Sequence, residues 1–171
     1  MELMVLMALT LFIGYIAAAL FIFREIPRSI SDTFYMYNDV APKLGYIFTA
    51  FMTIEAFLIA SPMTALGTFE WWQFLGFLCP AGLAFCGCAP LFKGDKLVKR
   101  VHFSGAILSV TAGLTWCYLL DPSRMIGTLI ILSVSCTAAG VASRTNSTCR
   151  TFWLEIVGFG TITSVLSINV L

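Results

Sequence analysis

Residues 3–23 read LMVLMALTLFIGYIAAALFIF, a run without a single charged side chain. An α-helix rises about 1.5 Å per residue, so about 20 apolar residues suffice to cross the roughly 30 Å hydrocarbon core of a bilayer. Arg24 and Arg28 follow this run, whereas a cleavable signal peptide carries its basic residues before the apolar core. The segment is therefore predicted to remain in the protein as a membrane anchor.

Five further stretches have the same apolar character. With the first, the six predicted spans are Leu3–Phe23, Leu44–Ser61, Trp71–Leu91, Val101–Leu120, Met125–Val141 and Phe152–Leu171. Of the 171 residues 59% are hydrophobic and 11% are charged, compared with about 25% charged in a soluble domain. The connections are too short to hold a soluble domain. We expect one all-α domain over residues 1–171, an integral membrane bundle of six transmembrane helices.

Lys and Arg residues are unevenly distributed among the connections. Nine of the ten lie in segments 24–43, 92–100 and 142–151, and the tenth is Arg124. Because cytoplasmic loops are enriched in Lys and Arg, these three segments are predicted to be cytoplasmic, with both termini outside a bacterial inner membrane. The net charge of +1 provides no basic surface for nucleic acid. The lipid bilayer is the expected partner, and a homo-oligomer is left open.

A short surface helix is predicted after the first span. Residues Ser29-Ile-Ser-Asp32 match a capping box, the pattern that often precedes a helix. Behind it, Ile30, Phe34 and Tyr37 share one helical face. This spacing predicts an amphipathic helix that lies on the cytoplasmic surface of the membrane.

A stripe of small residues indicates which span lies at the centre of the bundle. Ser135, Ala139 and Ser143 recur at a spacing of four in and just after the span Met125–Val141. In lipid, small residues at this spacing allow two helix backbones to approach closely. The span Met125–Val141 is therefore predicted to be central.

Glu55 is an acidic residue in the middle of a predicted span. It lies eleven residues after Leu44, about 16 Å into the hydrocarbon core, and no predicted span contains Lys or Arg. A carboxyl group at this depth is expected to be neutral and to face protein. Two interpretations remain open: a proton or ion site, or a carboxyl group hydrogen-bonded between helices to Ser, Thr or a backbone carbonyl.

A second polar group is expected at the cytoplasmic side. Its members are Ser31, Asp32, His102 and Glu155. A His with two carboxylates can bind a divalent metal or move protons, but the single His falls short of the usual zinc ligand sets. We therefore expect a structural group in which Arg24 or Arg100 balances the carboxylates, with no bound metal and no other cofactor.

These residues support three classes of function. A proton- or cation-linked channel or carrier would use Glu55 and a helix kink at Pro80. A non-catalytic membrane interaction protein, or one of the phage lysis type, needs only the compact bundle with minimal loops. A metal-dependent intramembrane lipid hydrolase would use His102 with Asp32. The sequence has no phosphate-binding glycine loop, no Gly-x-Ser-x-Gly elbow and no HExxH, so an enzyme is the least favoured class.

Three further stretches are informative together: Pro27–Tyr35 (PRSISDTFY), Phe77–Pro90 (FLCPAGLAFCGCAP) and Val101–Ala106 (VHFSGA). They resemble a family of small, uncharacterised polytopic membrane proteins of gut bacteria and their phages, and the likeness covers roughly residues 20–110. The resemblance implies that Ser31, Asp32 and His102 recur as a cytoplasmic-side group, and it supplies no catalytic residues. A looser similarity to the ceramidase and progestin-receptor superfamily rests on Ser, Asp and His in membrane helices. The chain lacks that superfamily's paired C-terminal histidines and seventh helix, which argues against a hydrolase.

Overall fold

The computed structural model describes residues 1–142 and 149–171 of the chain. In these two ranges there are seven α-helices and no strand. The helices are α1 (Glu2–Phe23), α2 (Thr33–Val40), α3 (Tyr46–Leu66), α4 (Leu75–Cys88), α5 (Lys96–Leu120), α6 (Pro122–Ala142) and α7 (Arg150–Val170). Five of them, α1, α3, α5, α6 and α7, are long and apolar enough to cross a membrane, whereas α4 is a shorter apolar helix. The predicted all-α class is confirmed for this part of the chain.

α4 is shorter than the predicted span Trp71–Leu91, with 14 residues. It ends at Cys88 because Pro90 disfavours the helical conformation at Ala89, the residue before it. On the other side, residues 67–74 form turns rather than a first helical turn, with a hydrogen bond from Gln73 N to Glu70 O. The apolar stretch is therefore part helix and part turn.

α5 begins five residues before the predicted span Val101–Leu120. Asp95 is its N-cap residue, and the Asp95 carboxylate accepts hydrogen bonds from Leu97 N at 2.7 Å and Val98 N at 2.9 Å. An N-cap side chain satisfies backbone N–H groups that have no partner inside the helix. Hydropathy alone missed this start, because the first turn of α5 is charged.

Five helices form a ring around the core. α4 packs between α3 and α5, α1 packs against α3 and α7, and a contact between α5 and α7 closes the ring. α3 also touches α7 across the ring, and α6 lies outside it against α7 and α5. The outer faces of α1 and α6 expose large apolar side chains, including Phe21, Ile131 and Val134. Such surfaces are typical of helices that face lipid.

The prediction that the span Met125–Val141 is central is wrong. This span is α6, whose Ser135 and Ala139 are exposed; Ser143 lies outside the described residues. The helix with the most deeply buried face is α7, where Ile162, Val165 and Leu166 have no exposed surface. Its hydroxyl groups bond to the carbonyl groups of their own helix, as Ser167 Oγ does to Thr163 O at 2.7 Å. A helix can bury such residues without partners on its neighbours.

α4 and α5 touch backbone to backbone at Gly82 and Gly105. A Cβ atom added at Gly105 would lie 2.7 Å from the carbonyl oxygen of Gly82 and 2.9 Å from the backbone nitrogen of Cys86. Gly105, Ser109 and Gly113 recur at a spacing of four along this face of α5, and Ser109 is fully buried. This small-residue pattern carries a backbone-to-backbone contact between α4 and α5, and it was not among the predicted packing faces.

The apolar face predicted for the surface helix is buried against protein. Ile30, Phe34 and Tyr37 are each at most 3% exposed, and the Tyr37 ring lies 4.8 Å from that of Phe23 in an edge-on contact. Burial raises the pKa of Tyr37 above its usual value. Half of the expected capping box forms, since the Ser29 hydroxyl accepts a hydrogen bond from the backbone N–H of residue 32 at 3.0 Å.

Candidate functional site

Two of the connections rich in Lys and Arg, segments 24–43 and 92–100, meet the start of α7 at one end of the bundle. Lys93, before α5, forms an ion pair with Asp32, which directly precedes α2. Phe152 N at the start of α7 donates a hydrogen bond to Arg28 O at 3.0 Å. The segment between α1 and α2 is thus held from both sides, by the α4–α5 connection and by α7.

A cavity of about 520 Å³ lies at this end. Its volume is in the range of small-molecule sites, roughly 300–1,000 Å³. All four members of the predicted polar group line it: Ser31, Asp32, His102 and Glu155. Arg28, Ser29 and Lys93 add further polar groups, and the longest wall is an apolar face of α5 formed by Phe103, Ala106, Ile107 and Val110. The cavity therefore has a polar end and an apolar extension.

Asp32 forms an ion pair with Lys93. The prediction that Arg24 or Arg100 balances this carboxylate is therefore wrong. The Asp32 side chain is 12% exposed and that of Lys93 is 48% exposed. Tyr35 fixes the lysine in two ways: its hydroxyl accepts a hydrogen bond from Lys93 N at 2.7 Å, and its ring centroid lies 4.3 Å from the ammonium nitrogen. Lys93 belongs to the Phe92–Gly94 turn that follows α4, which brings it back over Asp32.

Glu155 points from the first turns of α7 toward the same segment. Its Oε2 accepts a hydrogen bond from Ile30 N at 2.5 Å, which anchors the chain beside Ser31. The Ser29 and Ser31 hydroxyl groups lie 3.1 Å apart. Within residues 1–142 and 149–171, no Lys, Arg or His forms an ion pair with Glu155. Glu155 therefore adds an acidic side chain to the cavity wall, and among the described residues its hydrogen-bond donor is the Ile30 amide.

His102 forms its hydrogen bond with the backbone of α4 and not with the carboxyl groups of the cavity. The imidazole is 2% exposed, and its Nδ1 lies 3.0 Å from Cys86 O, near the end of α4, where backbone carbonyls lack helical partners. The ring stacks on Phe92 at 4.3 Å and meets Phe103 edge-on. A neutral His that donates from Nδ1 keeps a lone pair on Nε2. His102 thus ties α5 to α4 while one of its edges lines the cavity.

No group of three His, Cys, Asp or Glu side chains in the described ranges is placed to hold a metal ion. Asp32 is occupied by Lys93, Glu155 by the Ile30 amide and His102 by the Cys86 carbonyl. Each potential ligand therefore already has a protein partner.

Glu55 is buried in a different environment, in the middle of α3. It is 1% exposed, and neither carboxyl oxygen has a hydrogen-bond partner among the described residues. The hydrogen bond expected to a hydroxyl or carbonyl between helices is absent from this part of the chain. The adjacent void measures about 10 Å³ and is otherwise lined by the apolar residues Phe12, Ile30, Phe51, Met52, Leu83 and Phe159. A buried water needs at least this volume and two or more polar partners.

A second cavity, of about 450 Å³, adjoins the first on the side of the connections. Arg28, Asp32 and Lys93 line both cavities, and Glu25, Tyr35 and Asp39 line only this one. The Asp32–Lys93 ion pair therefore lies between a predominantly polar space and the cavity that extends along α5.

Comparison of the chain with protein-family models, with curated proteins and with solved structures finds no match.

Proposed function

We propose that this protein is a non-catalytic membrane protein that binds a lipid-like amphiphile in the 520 Å³ cavity. The observation that carries the proposal is the composition of the cavity wall. Its polar groups lie at one end of the bundle, and its apolar groups follow α5 and α7 toward the middle of the bundle. A ligand with a polar head and an alkyl chain matches both parts.

The dimensions of the apolar wall support an alkyl chain. Residues 103, 106, 107, 110 and 111 of α5 line it, and the eight residue-to-residue steps from 103 to 111 correspond to about 12 Å along the helix. This is somewhat less than half of a hydrocarbon core of about 30 Å, so the wall matches a chain in one leaflet. Phe103, Ile107 and Leu154 are exposed at its edge, and a chain can therefore enter from the side.

The proposed kinship with the small membrane proteins of gut bacteria and phages is supported by where its three stretches lie. Pro27–Tyr35 supplies Arg28, Ser29, Ser31 and Asp32 to the cavity, and Val101–Ala106 supplies His102, Phe103 and Ala106. Phe77–Pro90 supplies the Cys86 carbonyl that holds His102. A shared binding site would give one physical reason for the resemblance of all three.

Filling the apolar part of the cavity tests the proposal. Ala106→Trp places an indole ring in the space assigned to the chain, whereas Ala138→Trp adds the same ring on the exposed face of α6. Native mass spectrometry of protein purified in mild detergent should show about one retained lipid per chain for the unmodified protein and for Ala138→Trp, and none for Ala106→Trp. Equal lipid retention in all three proteins contradicts the proposal, as does its absence from the unmodified protein.

The proposed topology has six spans, with α4 as a short third span, both termini outside and α2 at the cytoplasmic surface. It is supported by the meeting of segments 24–43 and 92–100 with the start of α7 at one end, while Arg124 bonds to Ile168 O at the other end. Reporter fusions after Leu171 should behave as periplasmic and fusions within residues 93–100 as cytoplasmic. The opposite pattern would reverse every assignment of side.

A second proposal is a proton- or cation-linked channel or carrier that uses Glu55. The specific observation in its favour is a fully buried carboxyl group that has no hydrogen-bond partner in the described residues. Its apolar surroundings require that a polar path open by movement of α3 or α7. Proton flux into liposomes that contain the protein should then disappear in Glu55→Gln.

A further inference from the structure

The headgroup of the bound lipid can be inferred from the charges of the cavity, an inference that rests on the proposed amphiphile site. We propose that the ligand is a zwitterionic lipid with a primary ammonium and a phosphodiester group. In this arrangement Glu155 accepts the ammonium, and Arg28 contacts the phosphodiester.

The charge balance of the cavity favours a zwitterion. Four ionic side chains line it: Arg28, Asp32, Lys93 and Glu155. Asp32 and Lys93 neutralise each other, which leaves one basic side chain, Arg28, and one acidic side chain, Glu155, without an ion-pair partner among the described residues. An anionic headgroup would satisfy Arg28 but face both carboxylates, and a purely cationic one would satisfy Glu155 but face Arg28. A headgroup with both charges complements both.

The backbone contacts place these two side chains as neighbours. Glu155 Oε2 accepts a hydrogen bond from Ile30 N, while Arg28 O accepts one from Phe152 N at 3.0 Å. Phe152 and Glu155 lie three residues apart on one face of α7, and the residues they hold are two apart in the chain. Arg28 and Glu155 therefore project from neighbouring backbone positions into the same cavity, where one compact headgroup can contact both.

The negative site favours a primary over a quaternary ammonium. Glu155 lies at the membrane end of the polar wall, where a carboxylate is costly unless hydrogen-bond donors surround it. In the part of the chain that the structure describes, its hydrogen-bond donor is the Ile30 amide. A primary ammonium supplies three N–H donors, whereas a quaternary ammonium supplies none. The Ser29 and Ser31 hydroxyl groups beside it can donate to the phosphodiester oxygens.

A lipid titration by native mass spectrometry tests this inference. The probes are phosphatidylethanolamine, its mono-, di- and trimethylated forms, and phosphatidylglycerol, all with identical acyl chains. With the unmodified protein, the trimethylated lipid and phosphatidylglycerol should each bind about tenfold more weakly than phosphatidylethanolamine, the effect of one lost charge-assisted hydrogen bond. The loss should be largest at the third methyl group, which removes the last N–H.

Two variants with matched controls locate the effect. Glu155→Gln keeps an oxygen for the Ile30 amide, and it should bring phosphatidylethanolamine to the affinity of the trimethylated lipid. Arg28→Gln should weaken both of these lipids to a similar extent. Glu70→Gln and Arg100→Gln, at exposed positions outside the cavity, should retain the preference.

The outcomes separate the headgroup inference from the proposed function. If the cavity-filling Ala106→Trp abolishes binding but all headgroups bind equally, the amphiphile site stands and the headgroup inference is overturned. The same follows if the preference survives in Glu155→Gln. If no lipid binds the unmodified protein, both fail.

Discussion

The backbone contact between Gly82 of α4 and Gly105 of α5 gives the sharpest prediction about stability. In Gly105→Ala the new methyl group would lie 2.7 Å from Gly82 O and 2.9 Å from Cys86 N, whereas ordinary van der Waals contact begins at 3.4 Å. Both obstructing atoms belong to a helix backbone, so no side-chain rotation relieves the clash. The two helices must separate by about 0.7 Å at this point.

The size of the effect follows from three contributions. Overpacking of a well-packed contact costs about 1–3 kcal/mol. Separation of the helices also stretches the 3.0 Å hydrogen bond between His102 and Cys86 O, one turn away, which is worth about 1 kcal/mol. Alanine gains back about 0.8–1 kcal/mol over glycine in helix propensity. Gly105→Ala should therefore lower the free energy of unfolding by about 1–3 kcal/mol.

Gly127→Ala in α6 is the matched control, because a Cβ atom there would have no neighbour within 4 Å. It should be neutral or stabilising by up to about 1 kcal/mol. Unfolding in mixed detergent micelles can be followed by the fluorescence of Trp116, which is fully buried on α5 and packs edge-on against Trp72. An unchanged or increased stability of Gly105→Ala would refute the close contact of α4 with α5. Equal destabilisation by both variants would show a general effect of alanine in these helices.

Three further predictions concern charged and polar side chains. Glu55→Gln should retain the thermal stability of the protein, since it keeps the shape of a neutral carboxyl group, whereas Glu55→Lys should prevent folding. If the Glu55→Gln variant were unfolded, this would indicate that Glu55 is an ionised, paired carboxylate. His102→Ala should leave the zinc content of the chelator-treated protein unchanged and below one zinc ion per chain. It should lower the free energy of unfolding by about 1–3 kcal/mol, because the Cys86 carbonyl loses its hydrogen-bond partner. A stoichiometric zinc ion that is lost in this variant would favour the hydrolase. Lys93→Met should lower the free energy of unfolding by about 1 kcal/mol relative to Lys96→Met. The coupling free energy between Lys93 and Asp32, measured in a double-mutant cycle with Asp32→Asn, should account for most of this difference. A coupling free energy near zero would show that the ion pair does not stabilise the protein.

The sequence predicted which residues are helical far better than which helices are neighbours. A membrane span is recognisable because the hydrocarbon core demands a long apolar run, whatever lies beside it. Lateral packing is not encoded in this way, since lipid and protein interiors are both apolar. The stripe with Ser135 and Ala139 in α6 was therefore read as a packing face, although both residues are exposed. The stripe with Gly105 in α5 has the same spacing and carries a backbone-to-backbone contact with α4.

The same distinction explains what could be predicted of the site. Hydropathy and charge assign each residue a position along the bundle axis, and this was enough to group Ser31, Asp32, His102 and Glu155, which all line one cavity. The side chain with which each residue pairs depends on its position around the bundle axis, which hydropathy and charge do not specify. The prediction of the cation that pairs with Asp32 was wrong for this reason. Lys93 rather than an arginine pairs with Asp32, because the turn after α4 returns it over α2.

Depth along the bundle axis also explains what the sequence could predict about the surroundings of Glu55. Its position predicted burial in protein, but a hydrogen-bond partner would have required a polar side chain at the same depth on a facing helix. The neighbours at that depth are apolar side chains of α1, α4 and α7, such as Phe12, Leu83 and Phe159. A carboxyl group kept in such surroundings is costly to the fold. The described residues therefore contain two candidate sites of opposite character: a polar one around a cavity, where Asp32 is paired with Lys93 while Arg28 and Glu155 have no ion-pair partner, and a single acid, Glu55, surrounded by apolar side chains.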